Sequence, residues 1–143
     1  MDYRKPQELQ SLDLSQYDVR ICVNGTRHWA DKRTFHQVMI EVLEDIPEGT
    51  NIIFISGDAS TGADAMIISW SRKFGFPCKR MPADWDASPR GAGYIRNAQM
   101  AECMSRLISF WDGVSKGTKH LIDLAITRNL PVRIVEITVE EKA

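Results

Sequence analysis

The chain has 143 residues, with 18 Lys and Arg against 19 Asp and Glu and a formal net charge of −1. It is 43% hydrophobic and 26% charged, an ordinary globular composition, and its length suits one domain of roughly 100–200 residues. The charge balance and a pI near 6.3 exclude a generally basic nucleic-acid coat, though not a local basic site.

Residues 1–17 read as an N-terminal tail. They include Asp2, Arg4, Lys5, Glu8 and Asp13 and have no apolar core, so they are not a signal peptide. Val19 to Asn24, ending at Gly25, is apolar and rich in β-branched residues, as in a first strand. Phe35, Val38, Met39, Val42, Leu43 and Ile46 fall on one face of a helix over 31–46. Pro47 and Gly49 stop it. Asn51 to Ser56 carries the unbroken apolar run Ile-Ile-Phe-Ile, like a strand buried on both faces. Ala63, Met66, Ile67, Trp70 and Phe74 predict a helix over 62–74, closed by Gly75. Pro77 to Met81 is a weaker third strand. A polar loop leads to a helix over 94–104, then a strand over Leu107 to Trp111. A last helix over Thr118 to Arg128 ends at Asn129 and Pro131, and Val132 to Ile137 forms the fifth strand.

This alternation predicts an α/β, Rossmann-like three-layer fold with a five-stranded parallel sheet of order 3-2-1-4-5. A single domain is expected over 18–138, with a frayed C-terminal tail over 139–143. Cys22, Cys78 and Cys103 are odd in number and far apart, without a C-x-x-C. That excludes a disulfide scaffold and a cysteine zinc site of the usual spacing. No apolar run approaches the ~18–20 residues of a membrane span. The chain reads as cytoplasmic and free of membrane.

Four segments look unlike packing or plain turns, and each directly follows a predicted strand. They begin at Asn24, Ser56, Pro82 and Trp111. In a parallel sheet such segments gather at the carboxyl edge, where ligands sit. Gly57 and Gly62 have the glycine spacing of a phosphate-binding P-loop, but Ala63-Asp64 replaces its Lys-Ser/Thr, so an ATPase is rejected. That turn still suits an anion, a ribose hydroxyl or a catalytic water, with Asp58 and Asp64 beside it. Gly113, Ser115, Lys116, Gly117 and Thr118 open a helix like a phosphate cradle. Arg96, beside Asn97 in the first turns of its helix, opposes the helix dipole and would welcome an anion. Arg27, just after Gly25, is a second basic contact.

Trp70 belongs to the apolar helix face, whereas Trp29, Trp85 and Trp111 lie in or beside the loops and could stack on a base. His28, His36 and His120 lack metal-ligand spacing. His36 and His120 read as exposed helix residues. Neither a metal nor a cofactor is expected. The Gly91-x-Gly93-x-x-Arg96 run is not a dinucleotide fingerprint, and no G-x-S-x-G elbow is present.

Taken in order, Gly25-Thr-Arg27-His-Trp29, Gly57 to Asp64, Pro82-Ala-Asp-Trp85, Arg90 to Met100 and Asp112 to Thr118 resemble the YspA-like, cpYpsA-related branch of the SLOG superfamily. More distantly they resemble its LOG-type phosphoribohydrolases. The resemblance spans about Val19 to Ile137. It implies a Rossmann-like fold binding nucleotides or nucleotide-derived ligands. Related members include cytokinin-activating phosphoribohydrolases, nucleotide-signal sensors of bacterial and phage conflict systems, and a DNA-processing protein that binds single strands. Two departures stand out. Asp58 occupies the place of a usual second glycine. Leu121 stands where the phosphoribohydrolases carry glutamate, so their catalytic carboxylate is not carried over.

Three functions follow. The first is binding of a nucleotide-derived small molecule by a sensor or sequestering protein. The second is hydrolysis of an N-glycosidic or phosphate linkage, with Asp64 and Asp84 as candidate catalytic carboxylates. The third is single-strand nucleic-acid binding on the loop tryptophans. The sequence leaves the oligomeric state open, a homo-oligomer included.

Overall fold

The computed structural model describes residues 13–139. Five strands form one sheet: β1 (Val19–Gly25), β2 (Ile52–Ser56), β3 (Cys78–Arg80), β4 (Arg106–Trp111) and β5 (Val132–Glu136). Four helices alternate with them: α1 (Lys32–Glu44), α2 (Gly62–Phe74), α3 (Ala92–Cys103) and α4 (Lys116–Thr127). The strand order is β3-β2-β1-β4-β5, and every pairing is parallel. The expected α/β Rossmann-like topology is therefore present.

Side-chain alternation along the strands creates the three layers. Ile21, Val23, Phe54, Ile108 and Phe110 face α1 and α2, which bring Phe35, Met39, Ile67 and Trp70. Cys22, Ile55 and Leu107 face α3 and α4, which bring Met100, Ala101, Leu121 and Ala125. β2 is buried throughout, as its unbroken apolar run requires.

Element ends differ in small ways from the periodicity. α3 starts at Ala92 because the Ala92 N–H already donates to the Ser88 carbonyl and Ile95 to Gly91. α4 starts at Lys116, capped in backbone geometry by Ser115, and Lys119 donates to the Ser115 carbonyl. Residues 13–17, read as tail, hold a 3-10 turn at Leu14–Gln16, which Asp13 caps through Ser15. Asn51 donates to the Gln16 carbonyl and Arg20 to the Tyr17 carbonyl, so this turn is tied to the start of the sheet. The rest of the expected N-terminal tail, residues 1–12, and residues 140–143 of the C-terminal one lie outside the described residues. No helix among the described residues is long and apolar enough to cross a membrane.

Phe110 sits at the centre of the α1/α2 face. Its ring stacks on Trp29 at 4.9 Å and meets Phe35 at 5.1 Å. Phe110→Ala should cost ~3–5 kcal/mol through lost burial and the cavity left behind. Ile126→Ala, at a side chain 57% exposed, should change stability by no more than ~0.5 kcal/mol. Urea denaturation of both variants checks the contrast.

Candidate functional site

β1 and β4 are neighbours in the sheet, but the chain leaves them toward opposite faces. After β1 it enters α1, and after β4 it enters α4. This is the switch point at which an open α/β sheet leaves a crevice. A cavity of about 490 Å³ lies there. Its walls come from the loops after β1, β2, β3 and β4 and from the first turns of α3 and α4. Of the residues expected from sequence, Gly25, Arg27, Asp64, Trp85, Arg96, Asn97, Ser115, Gly117 and Thr118 line it.

Asp64 is the buried charge of the site, 8% exposed in the first turn of α2. Its carbonyl accepts the Ser56 hydroxyl at 2.9 Å, and its carboxylate accepts the Ala59 N–H at 3.2 Å. Burial raises its pKa from 3.8 to about 6, against the pull of the Ala59 N–H, Arg96 and Arg27. The group therefore titrates in a range useful for proton transfer.

Arg96 reaches across from α3 to donate to the Gly57 carbonyl, and its Nε donates to the Asn97 side chain at 3.0 Å. A guanidinium has five N–H donors, so these two bonds fix it without exhausting it. Gly57 lies beneath both charges. A Cβ there would come within 2.7 Å of the Arg96 Nη1 and 2.9 Å of the Asp64 carboxylate. Glycine at this place lets the buried carboxylate and the guanidinium share one corner.

Asp58 explains the missing second glycine. Its φ is +62°, a left-handed conformation that Asp tolerates better than most residues. Its carboxylate is paired with Arg80 of β3 at 2.8 Å, and its N–H donates to Ser56. Asp58 braces the turn and does not line the cavity.

The α4 end is built around Thr26 and Asp112. The Asp112 N–H donates to the Thr26 hydroxyl at 3.1 Å, and the Ser115 hydroxyl lies 3.3 Å from the same oxygen. Asp112 accepts from the N–H groups of Val114 and Ser115. Burial pushes its carboxyl up, but the hydrogen bonds from Ser115, Val114 and Thr26 together hold it below the usual value. Ser115 makes no side-chain cap to α4. The first N–H groups of α4 therefore keep their electrostatic reach at the cavity wall formed by Gly117 and Thr118.

Asn97 is buried and fully engaged. Its amide donates to the Gly117 carbonyl at 3.2 Å and lies 3.1 Å from the Nδ1 of His120. His120, expected to be an exposed helix residue, is half-buried and packs edge-on against Tyr94 at 4.7 Å. Burial lowers its pKa, opposed by Asp123. A neutral ring is what lets Nδ1 accept the Asn97 amide. Asn97 thus holds α3 to the start of α4 while lining the cavity.

Trp85 is 48% exposed and Tyr94 49%. Both line the cavity, and the Trp85 ring lies 3.4 Å from where a Gly93 Cβ would be. They provide open aromatic faces beside the polar wall.

Other expected contacts lie away from the cavity. Trp29 is buried on Phe110, because the loop folds its ring into the α1/α2 core. Trp111 packs against the α3/α4 core and donates to the Ser115 carbonyl. Three tryptophan rings therefore do not form a common stacking surface. Asp84 is exposed and accepts the Ala87 N–H at 3.0 Å, so its carboxylate caps a turn. It does not join Asp64 at the cavity. Gly113 provides a positive φ of 84° in the turn before α4, and Lys116 is exposed. Neither lines the cavity. Gly62, with φ +71°, is pressed against the β1 loop, where a Cβ would meet the Thr26 carbonyl at 2.6 Å.

Sequence reading missed Asn24, Thr26, Arg90 and Tyr94, all of which line the cavity. Asn24 accepts the Ser109 hydroxyl across the paired strands. Gly93, Asn97 and Met100 repeat at helical spacing on the cavity side of α3, and that spacing was the available signal for this wall. Val139, assigned to the tail, reaches the cavity and packs on the core. Among the described residues, no group of three or more His, Cys, Asp or Glu is placed to hold a metal ion.

Comparison with known proteins agrees with this architecture. The Gene 61 protein of Mycobacterium phage D29 is 29% identical over 119 residues, covering 79% of this chain and 93% of that protein. No solved structure gives a significant match. Residues 19–87 match the model of the YspA, cpYpsA-related SLOG family, the stretch that holds β1, the Gly57–Asp64 turn and Trp85. Over that segment, the chain is similar to the YspA, cpYpsA-related SLOG family.

Proposed function

We propose that this protein binds a nucleotide or nucleotide-derived small molecule in the switch-point cavity, acting as a sensor or a sequestering protein. One juxtaposition carries the reading. The uncapped start of α4 and the guanidinium of Arg27 share a cavity with the open rings of Trp85 and Tyr94. The first pair suits phosphate, and the second suits a flat base. A volume of about 490 Å³ fits a small molecule, within the usual ~300–1,000 Å³ of such sites.

Binding is favoured over turnover because the carboxylates are unevenly placed. Asp64 is suited to proton transfer, but Asp84 is spent on a turn and Asp112 on the Val114 and Ser115 N–H groups. The raised Asp64 pKa nonetheless supports a second reading, N-glycosidic hydrolysis with Asp64 as the proton-transfer group. A single-stranded nucleic acid ranks third, with Trp85 as the open tryptophan at the cavity.

Mass spectrometry of small molecules released from the purified protein should find an intact nucleotide derivative. A broad nucleotide panel without any thermal shift would remove the binding reading. Trp85→Ala should weaken the best ligand by roughly tenfold or more, as a lost stacked ring is worth ~1–3 kcal/mol. Isothermal titration measures that loss. Under the second reading, the released molecule is a cleaved product and Asp64→Asn abolishes its formation.

Asp64 also has a consequence for stability. Its carboxyl ionises near 3.8 in the unfolded chain and near 6 in the folded one. Between those values the folded chain holds the extra proton, so stability falls as pH rises through the window. About two units correspond to on the order of 3 kcal/mol. Asp64→Asn should flatten this fall, equalling the parent below the window and exceeding it above. Chemical denaturation across pH 3.5 to 7.5, roughly the window and its margins, measures the difference.

A further inference from the structure

A second concavity of about 900 Å³ runs between α1 and α2, on the face of the sheet opposite α3 and α4. On α2 it is lined by Gly62, Ala65, Met66, Ser69, Trp70, Lys73 and Phe74. These positions follow one helical stripe from the first residue of α2 to the last of its 13. At 1.5 Å per residue the trough is roughly 18 Å long. Its length and its opening along two helices suit an elongated segment better than a compact molecule.

The floor is aromatic. Trp70 and Phe74 lie 4.7 Å apart, and His36 of α1 stacks on Phe74 at 5.4 Å. The Trp70 Nε1 donates to the His36 Nδ1 at 3.0 Å, which joins the two helices at the bottom of the trough. Phe74 is left 43% exposed. The small side chains of Ala65 and Ser69 leave depth along the stripe.

The rim has one sign of charge. Among the described residues, Arg27, Lys32 and Lys73 line the trough, with His28 and His36, and no carboxylate does. This bias stands out in a chain with 18 basic and 19 acidic residues. Lys73 lies over the Phe74 ring at 5.5 Å. Asp31, next to Lys32, is engaged in capping Thr34.

We propose that the α1/α2 trough is a docking surface for an acidic amphipathic helix of a partner protein. The apolar stripe of such a helix would fill the Met66–Trp70–Phe74 floor, with anchors at i, i+3, i+4 and i+7. Its flanking Asp and Glu would meet Lys32, Lys73 and Arg27. Arg27 and His28 also wall the switch-point cavity. A helix seated in the trough would therefore touch a loop that borders the other site. The docking surface itself does not depend on what that cavity binds.

The test pans a displayed library of amphipathic helical peptides of about four turns on the whole protein. The Lys32→Glu/Lys73→Glu double variant serves as the counter-target. Both positions are exposed, and circular dichroism verifies that the variant stays folded. Enriched peptides should combine Leu, Phe or Trp at helical spacing with flanking Asp and Glu. Their affinity should fall at least about tenfold on Lys73→Glu and again on Phe74→Ala, and should weaken with salt. No enrichment over the counter-target, or enrichment of uncharged or basic peptides, overturns the proposal. So does a dimer in sedimentation that Phe74→Glu dissolves, since a second copy then fills the trough. Binding of an oligothymidylate that Lys32→Glu/Lys73→Glu abolishes overturns it as well. Loss of nucleotide binding in Trp85→Ala leaves these readouts unchanged, so the two sites fail separately.

Discussion

The pairing of β1 with β4 is the contact on which the site depends. These strands are neighbours in the sheet, with Gly25 in register with Phe110. Gly25 permits the close approach, since a Cβ there would lie 2.6 Å from the Phe110 carbonyl. The Thr26 N–H then donates to that carbonyl at 2.9 Å, and its hydroxyl receives the Asp112 N–H. The two loops that must diverge to opposite faces are therefore pinned at their roots. The crevice above them is open because the crossovers leave in opposite directions. It is shaped because the roots cannot separate.

A second constraint is the buried carboxylate. An isolated ionised group is costly away from water, and Asp64 is held by one backbone N–H and by the fields of Arg96 and Arg27. Arg96 in turn grips Gly57 and Asn97, and Asn97 holds α3 to α4. The charges at the sheet edge thus form a frame around the cavity as well as a surface within it. A ligand bearing phosphate and sugar hydroxyls would meet a mixed-charge wall whose geometry is already set, which limits the ordering cost of binding.

Much of the fold was legible because its signals are local. Continuous apolar runs marked β2 and β4, and helical spacing marked α1 and α2. Right-handed crossovers then left few topologies, and the order β3-β2-β1-β4-β5 is the expected one. The gathering of the motif loops at one sheet edge was legible for the same reason. Within the site, residue type was a poorer guide. Trp29 and Trp85 look alike in sequence, yet one ring is core and the other lies at the cavity. Asp64 and Asp84 are both acidic residues after strands, but one is buried and the other caps an exposed turn.

The sequence by itself determined the α/β class, the strand order and the edge at which the motif loops gather. Each follows from periodicity, chain direction and the handedness of crossovers. Only the tertiary structure decided which side chains meet there. It turned Asp58 toward Arg80, fixed Arg96 on Gly57 and Asn97, and brought His120 and Tyr94 together. It also turned a near-neutral composition into a mixed-charge cavity on one side of the β1 loop and a trough rimmed by Arg27, Lys32 and Lys73 on the other. Those partners lie as many as 39 residues apart in the chain. Their choice depends on packing and desolvation across elements, which no local spacing records.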